Sequence, residues 1–461
     1  MRRVSSTVPR GLGALAIALA SAVAAAASTD RGLIERGEYL ARAGDCVACH
    51  TAPGGKPMAG GLLLPTPVGM VAATNITPSK NYGIGNYSLA QFSAALRKGV
   101  RADGANLYPA MPYTSYAKVT DGDVQAMYVY FMHAVPAVDA APAHSTTLHF
   151  PFNIRSSMAA WNLLFLDRAP FLADPAKSIE WNRGAYLARG LAHCGACHTP
   201  RNVMMAENNS RELAGGDAGA WHAPNITADP NSGVGGWNER ELVEYMRLGR
   251  AAGKAQAAGP MAEAVDHSLR YLSEEDLRAI AVYVKTVPAV HDAADTRPVH
   301  AWGAAHDELG SVRGVAWPND RNQLSGPQLY DAHCATCHQA QGQGSFDGGL
   351  PPLFHNAVLG RINTNNLVMV LLDGIERQAD GQQVAMPGFR KTMTDQQIAT
   401  LGAYLARSYG NPAAGVTVDQ VRTLRSGKAP TTLVWMAQGG MLVVLLVALF
   451  LLLRKRRAIA V

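Results

Sequence analysis

The sequence predicts an all-α protein, made of three small helical units in tandem and one C-terminal helix long enough to cross a membrane. Three observations carry this. The pattern Cys-x-x-Cys-His occurs at CVACH (Cys46 to His50), CGACH (Cys194 to His198) and CATCH (Cys334 to His338). Each copy is followed downstream by an apolar pattern with helical spacing. The chain then ends in an uncharged stretch from Thr431 to Leu453. Its 461 residues suit about three domains at ~150 residues each.

The N-terminus begins with Arg2, Arg3 and Arg10 before a small-apolar run from Gly11 to Ala27. That is the pattern of a secretory signal peptide, cleaved near Ala25 to Ala27, so 1–27 is set aside from the fold. The expected order is then a first unit over 30–142, an apolar connector over 143–177, a second unit over 178–290 and a linker over 291–321. A third unit over 322–412, a linker over 413–430, a transmembrane helix over 431–453 and a tail over 454–461 complete it.

The first two units are copies of one module. Arg36-Gly37-Glu38-Tyr39-Leu40-Ala41-Arg42 precedes the first motif, and Arg183-Gly184-Ala185-Tyr186-Leu187-Ala188-Arg189 precedes the second. Asn75-Ile76-Thr77 returns as Asn225-Ile226-Thr227. The third unit is more divergent, keeping Gly326, Leu329 and Tyr330 ahead of Cys334. Closing helices are expected over Asp121 to Phe131, Glu274 to Val284 and Thr394 to Leu405. Ser273 and Thr394 supply capping side chains for the last two, with acidic residues behind them to suit the positive helix end. Leu277, Ile280, Ala281 and Val284 recur at helical spacing and define one buried face. In the connector, Phe150, Phe152, Trp161, Leu163, Leu164 and Phe165 predict a segment packed between units, with a docking surface as the alternative.

Cys-x-x-Cys-His is the attachment pattern of a c-type haem: two thiols bind the porphyrin covalently and the His ligates iron. Cys46, Cys49, Cys194, Cys197, Cys334 and Cys337 are all the cysteines of the chain, which leaves none for a disulfide or a nucleophile. His50, His198 and His338 are the expected proximal ligands. A thioether on the far side closes the iron and suits it to electron transfer, whereas an open face permits peroxide or oxygen chemistry. Each unit offers one methionine at a matching place: Met111 in Ala110-Met111-Pro112, Met261 after Gly259-Pro260, and Met386 in Ala385-Met386-Pro387. The following proline holds Met111 and Met386 extended. Met261 lacks that proline and has His267 nearby as a rival ligand. Three covalent haems c, each with iron, are the expected cofactors.

The formal charge of +6 comes from the chain ends. Of the 41 basic residues, three lie in the leader and four, Arg454 to Arg457, follow the apolar stretch; the remaining 34 face 35 acidic residues, a net charge of about −1. Nucleic-acid binding therefore has no support. The apolar stretch rises ~1.5 Å per residue, roughly 35 Å in all, which covers a bilayer core. The basic cluster behind it orients that end to the cytoplasm and the haem units to the periplasm of an inner-membrane protein. No dinucleotide or nucleotide-binding motif is present, so no catalytic residue is assigned and substrate oxidation is not expected on this chain.

Together these features resemble the triheme cytochrome c subunits of bacterial membrane-bound dehydrogenases that oxidise gluconate, fructose, sorbitol, alcohols or aldehydes. The residues carrying the resemblance are Arg36 to Thr51, Asn75-Ile76-Thr77-Pro78, Leu107 to Tyr113, Phe150 to Arg155 and Trp161-Asn162. It implies three cytochrome c-like haem domains with Met111, Met261 and Met386 opposite the three histidines. It also implies a partner catalytic subunit of flavin, pyrroloquinoline quinone or molybdenum type, with ubiquinone as acceptor. Delivery to a terminal oxidase or a soluble acceptor is the alternative, and a haem enzyme with one open iron a further one.

Overall fold

The fold is known from a computed structural model that describes residues 31–346, 349–379, 381–427 and 432–459. The expected signal peptide lies outside the described residues. In each unit an opening helix precedes the Cys-x-x-Cys-His turn, and a closing helix crosses back over it. The opening helices are 31–43, Ile179–Tyr186 and Gly326–His333; the closing ones are Asp121–His133, Glu274–Val284 and Asp395–Tyr409. Thr120, Ser273 and Thr394 cap the closing helices, accepting from the backbone N–H of Asp123, Asp276 and Gln397. A side-chain oxygen there satisfies an amide that has no partner inside the helix.

The glycine of the repeated Arg-Gly-x-Tyr stretch sits at the crossing itself. A Cβ on Gly37 would lie 2.1 Å from the Ala126 carbonyl oxygen, and one on Gly184 would lie 1.9 Å from that of Ala279. In the third unit a Cβ on Gly326 would meet Tyr404 Cβ at 2.4 Å. In the first two units the helices thus approach backbone to backbone, and in the third the glycine makes room for the Tyr404 side chain.

The first two units are joined by a reciprocal set of bonds. Arg36 Nε donates to Asp123 Oδ1 at 2.8 Å within the first unit, and Tyr186 of the second unit donates to Asp123 Oδ2 at 2.5 Å. Conversely, Arg183 Nε donates to Asp276 Oδ1 at 2.7 Å, and Tyr39 of the first unit donates to Asp276 Oδ2 at 2.6 Å. Burial works against ionisation of Asp276, but the hydrogen bonds from Arg183 and Tyr39 outweigh it and hold the carboxyl below its usual range. One buried cluster runs from Leu40 and Val124 in the first unit to Leu187 and Ile280 in the second. The third unit has a cluster of its own, built on Leu329, Tyr330, Leu401 and Tyr404.

The all-α expectation is corrected by four small antiparallel sheets among the described residues. One has three strands, Leu63–Thr66, Gly69–Ala72 and Thr147–Leu148. Three two-stranded ribbons pair Gly216–Ala218 with Trp221–Ala223, Arg250–Ala251 with Ala255–Gln256, and Ile375–Ala379 with Gln382–Met386. Each ribbon lies in a loop between helices, where short extended segments satisfy their amides on each other. Asp380-Gly381, between the strands of the last ribbon, is a hairpin signal in the sequence.

The transmembrane expectation for 431–453 is corrected as well. A helix does form, over Thr432–Ile459, but among the described residues no helix is long and apolar enough to cross a membrane. Thr432, Gln438, Gly439 and Gly440 dilute the apolar character of its first three turns, and Gln438 Nε2 donates to the Phe150 carbonyl at 3.0 Å, which ties this helix to the connector. The connector itself has two faces. In its helix Ser157–Phe165, Trp161 is buried against Tyr113 of the first unit, and its Nε1 donates to the Met204 carbonyl of the second at 2.9 Å. Leu163 and Leu164 on the other side are 80 % and 69 % exposed.

Candidate haem sites

Each Cys-x-x-Cys-His motif forms a single helical turn. The amide of the His bonds to the carbonyl of the first Cys at 3.0 Å for His50, 2.9 Å for His198 and 2.8 Å for His338. Residues three and four apart share a helix face, so both thiols and the imidazole are set on one side of each turn. Burial pushes the Cys46, Cys49, Cys194 and Cys334 thiols up to about 12. Such thiols are poor free nucleophiles.

The histidines are oriented from behind. His50 Nδ1 meets the Thr74 carbonyl at 2.6 Å and His198 Nδ1 meets the Pro224 carbonyl at 2.7 Å. Burial lowers the pKa of both rings, so each is neutral with its proton on Nδ1 toward the carbonyl. Nε2 is then left as a lone pair for a metal. His338 faces the Pro351 carbonyl without completing the bond.

The two buttress carbonyls immediately precede the repeated Asn-Ile-Thr triplets, and those triplets are tied down alike. Asn75 Oδ1 accepts from the Thr77 amide and hydroxyl at 2.9 and 2.7 Å, while its Nδ2 donates to the Val138 carbonyl at 2.8 Å. Asn225 does the same with Thr227 at 2.8 and 2.7 Å and with the Val290 carbonyl at 2.6 Å. The repeat noted in the sequence is therefore the brace that fixes each imidazole.

The structure brings two of the three methionines to the motifs in one cavity of about 410 Å³. Cys194, Cys197, His198 and Met261 line it from the second unit, and Cys337, His338 and Met386 from the third. Met386 ends the strand Gln382–Met386, extended ahead of Pro387. Met261 lies in the first turn of the helix Gly259–His267, and His267, at the far end of that helix, is absent from the cavity wall. In the first unit Met111 packs against the same buried cluster as Cys46 and Val47. His193 lines the cavity and stacks edge-on against Tyr116 of the first unit; His333 packs against Phe389.

The motifs of the first two units also lie close together. The Cys49 thiol is raised first by burial, then by the charges of Asp45, Glu263 and Cys197. Asp45 begins the first turn in a left-handed conformation, and its Oδ1 is buried without a partner. Burial, and then Glu263, pushes its carboxyl from 3.8 up to about 8. Its folded pKa exceeds the unfolded one, so its contribution to stability is complete below about pH 4 and drains away as pH rises toward 8. Asp45→Asn does not titrate, so its stability advantage over the natural chain should widen between those limits and then level off. Urea unfolding at half-unit pH steps checks this; a gap that narrows with rising pH would show Asp45 to be charged.

Sequence reasoning missed Arg250, Arg361 and Arg377, which also line the cavity, because no fixed offset from a motif marks them. The donor set in this cavity, paired thiols, an imidazole with a free Nε2 and a thioether within apolar walls, fits a covalently bound haem, which supplies one-electron iron chemistry when present.

Short helices crossing at a glycine, with a Cys-x-x-Cys-His turn braced behind its histidine, define a c-type cytochrome. Residues 324–408 match the family model Cytochrome c. The chain is 45 % identical over 433 residues to the fructose dehydrogenase cytochrome subunit of Gluconobacter japonicus, spanning 91 % of this chain and 88 % of that protein. It is 38 % identical to the gluconate 2-dehydrogenase cytochrome c subunit of Pantoea cypripedii, over 89 % and 94 % of the two chains. The alcohol dehydrogenase (quinone) cytochrome c subunit of Gluconacetobacter polyoxogenes is 37 % identical, over 91 % and 90 %. This chain belongs to the family of cytochrome c subunits of dehydrogenase complexes.

Proposed function

We propose that the chain relays electrons from a partner dehydrogenase subunit to ubiquinone through three covalently bound haems, on the periplasmic side of the cell. The observation that carries this reading is the succession of sites. The charge of Cys197 acts on Cys49, Asp45 of the first unit acts on Cys197, and the second and third motifs open into one cavity, so the second site is the middle one. Cys46 and Cys49, Cys194 and Cys197, and Cys334 and Cys337 attach the haems. His50, His198 and His338 ligate iron from one side, and Met111, Met261 and Met386 from the other. A thioether ligand closes the iron and raises its potential, which favours passage of electrons over chemistry on oxygen or peroxide. The quinone acceptor is supported by the name of the alcohol dehydrogenase relative, and the export by the leader at 1–27.

In the reconstituted complex, substrate should reduce all three haems, counted as three per chain by pyridine haemochrome, and ubiquinone should reoxidise them. Haems that stay oxidised while the partner's own cofactor is reduced would end the relay reading. Carbon monoxide should bind the reduced protein poorly; stoichiometric binding to one haem would mark an open iron instead.

A further inference from the structure

Among the described residues, the cavity shared by the second and third motifs is lined by the guanidinium groups of Arg250, Arg361 and Arg377 and by the carboxyl of Asp45. Two of these arginines come from the third unit yet make their bonds in the second. Arg361 Nη1 donates to the Ser232 carbonyl at 3.2 Å. Arg377 Nη2 donates to Gln256 Oε1 at 2.7 Å, and its Nη1 donates to the Leu248 carbonyl. The second unit makes room for this arm at Gly249, where a Cβ would stand 3.1 Å from Arg377 Cδ.

Arg377 is only 2 % exposed, and its Nε is buried without a hydrogen-bond partner. Among the described residues, neither Arg361 nor Arg377 makes an ion pair with a carboxylate; Asp295 and Asp266 act on them only at longer range. Burial holds both guanidinium groups below the ordinary arginine range. A charge removed from water without a counter-ion is costly. Two such charges lining one cavity, both acting on the Tyr245 phenol that lines it too, point to an anion with two carboxylates. Arg361 also acts on the His198 ring, whereas His338 is affected only by burial and Pro351.

We propose that Arg361 and Arg377 reach out of the third unit to hold the two propionates of the haem attached at Cys194 and Cys197. The third unit thereby completes the second haem's site and raises its potential. Guanidinium binds carboxylate through a planar fork, and a haem carries two carboxylates on one edge. Retained positive charge near the iron disfavours the oxidised state, which is one charge more positive. This rests on the reading that the second motif carries a haem.

The test is a potentiometric titration of the haem-loaded full chain, followed by visible absorbance. Met261→His marks the wave of the second haem, and Met386→His that of the third, because exchanging thioether for imidazole lowers the potential of the haem concerned. Arg377→Gln should lower the reduced-to-oxidised ratio of the second haem at fixed potential by about tenfold, a shift of about 59 mV for one electron. The other two waves should stay in place, and Arg377→Lys, which keeps the charge, should stay near the natural value. Arg361→Gln leaves the Leu248 and Gln256 contacts intact and gives the same readout if Arg377→Gln fails to fold. A shift confined to the third wave, or no shift with three haems bound, overturns the inference. A haemochrome count below three in the unsubstituted chain would instead overturn the three-haem reading beneath it.

Discussion

Replacing Cys194 and Cys197 together with alanine should remove one haem per chain and stop electron delivery to ubiquinone. The partner subunit should still reduce an artificial dye at its own centre. The expectation follows from the middle position of the second site. Its motif neighbours the first through Cys49 and Cys197, and its cavity opens onto His338 and Met386 of the third. Losing a terminal haem could be bypassed by contact at the next one; losing the middle one separates the two ends. Both thiols must be replaced, because either alone can still form one thioether bond. Haemochrome counts and separate assays for dye and quinone reduction check the result. Undiminished quinone reduction with one haem missing would place the second site off the path.

The largest effect on stability is expected from Gly184→Ala. The added methyl would lie 1.9 Å from the Ala279 carbonyl oxygen and 2.4 Å from its carbon, both backbone atoms that cannot rotate aside. The opening and closing helices of the second unit must then separate, and Arg183, one residue away, loses its alignment with Asp276 and Tyr39. Overpacking a tight core contact costs typically about 1–3 kcal/mol. A rigid backbone clash coupled to a buried ionic network belongs at or above the upper end, at about 3 kcal/mol or more. Gly122→Ala is the control, since nothing stands within 4 Å of its Cβ and it lies in the helix Asp121–His133. There the same change should stabilise by up to about 1 kcal/mol through helix propensity. Urea midpoints of the two variants should therefore move in opposite directions; a shared direction would show that the crossing relaxes freely.

The parts legible in the sequence were those whose chemistry requires residues close together in the chain. Cysteine pairs three apart with an adjacent histidine need one helical turn, and the structure forms that turn three times. Capping by Ser273 and Thr394 was equally local and is present. The short ribbons were harder to see because each is only two to five residues per strand, too brief for a periodic pattern to rise above the surrounding loop. The uncharged C-terminal stretch is legible as a helix, but the bond from Gln438 to the Phe150 carbonyl spans 288 residues and no local pattern signals it.

The sequence by itself determined the cofactor class, the three Cys-x-x-Cys-His turns, the repeated module and the family, because such turns depend on neighbours a few residues apart. Only the tertiary structure decided how the units share their surfaces. It put Tyr39 on Asp276 and Tyr186 on Asp123, merged the first two cores, and joined the second and third motifs in one cavity. It also carried Arg361 and Arg377 more than a hundred residues from their partners Ser232 and Leu248. The physical reason is that burial and charge pairing act through space. A guanidinium is drawn to whatever acceptor the packed chain brings near it, and no local spacing encodes which one that is.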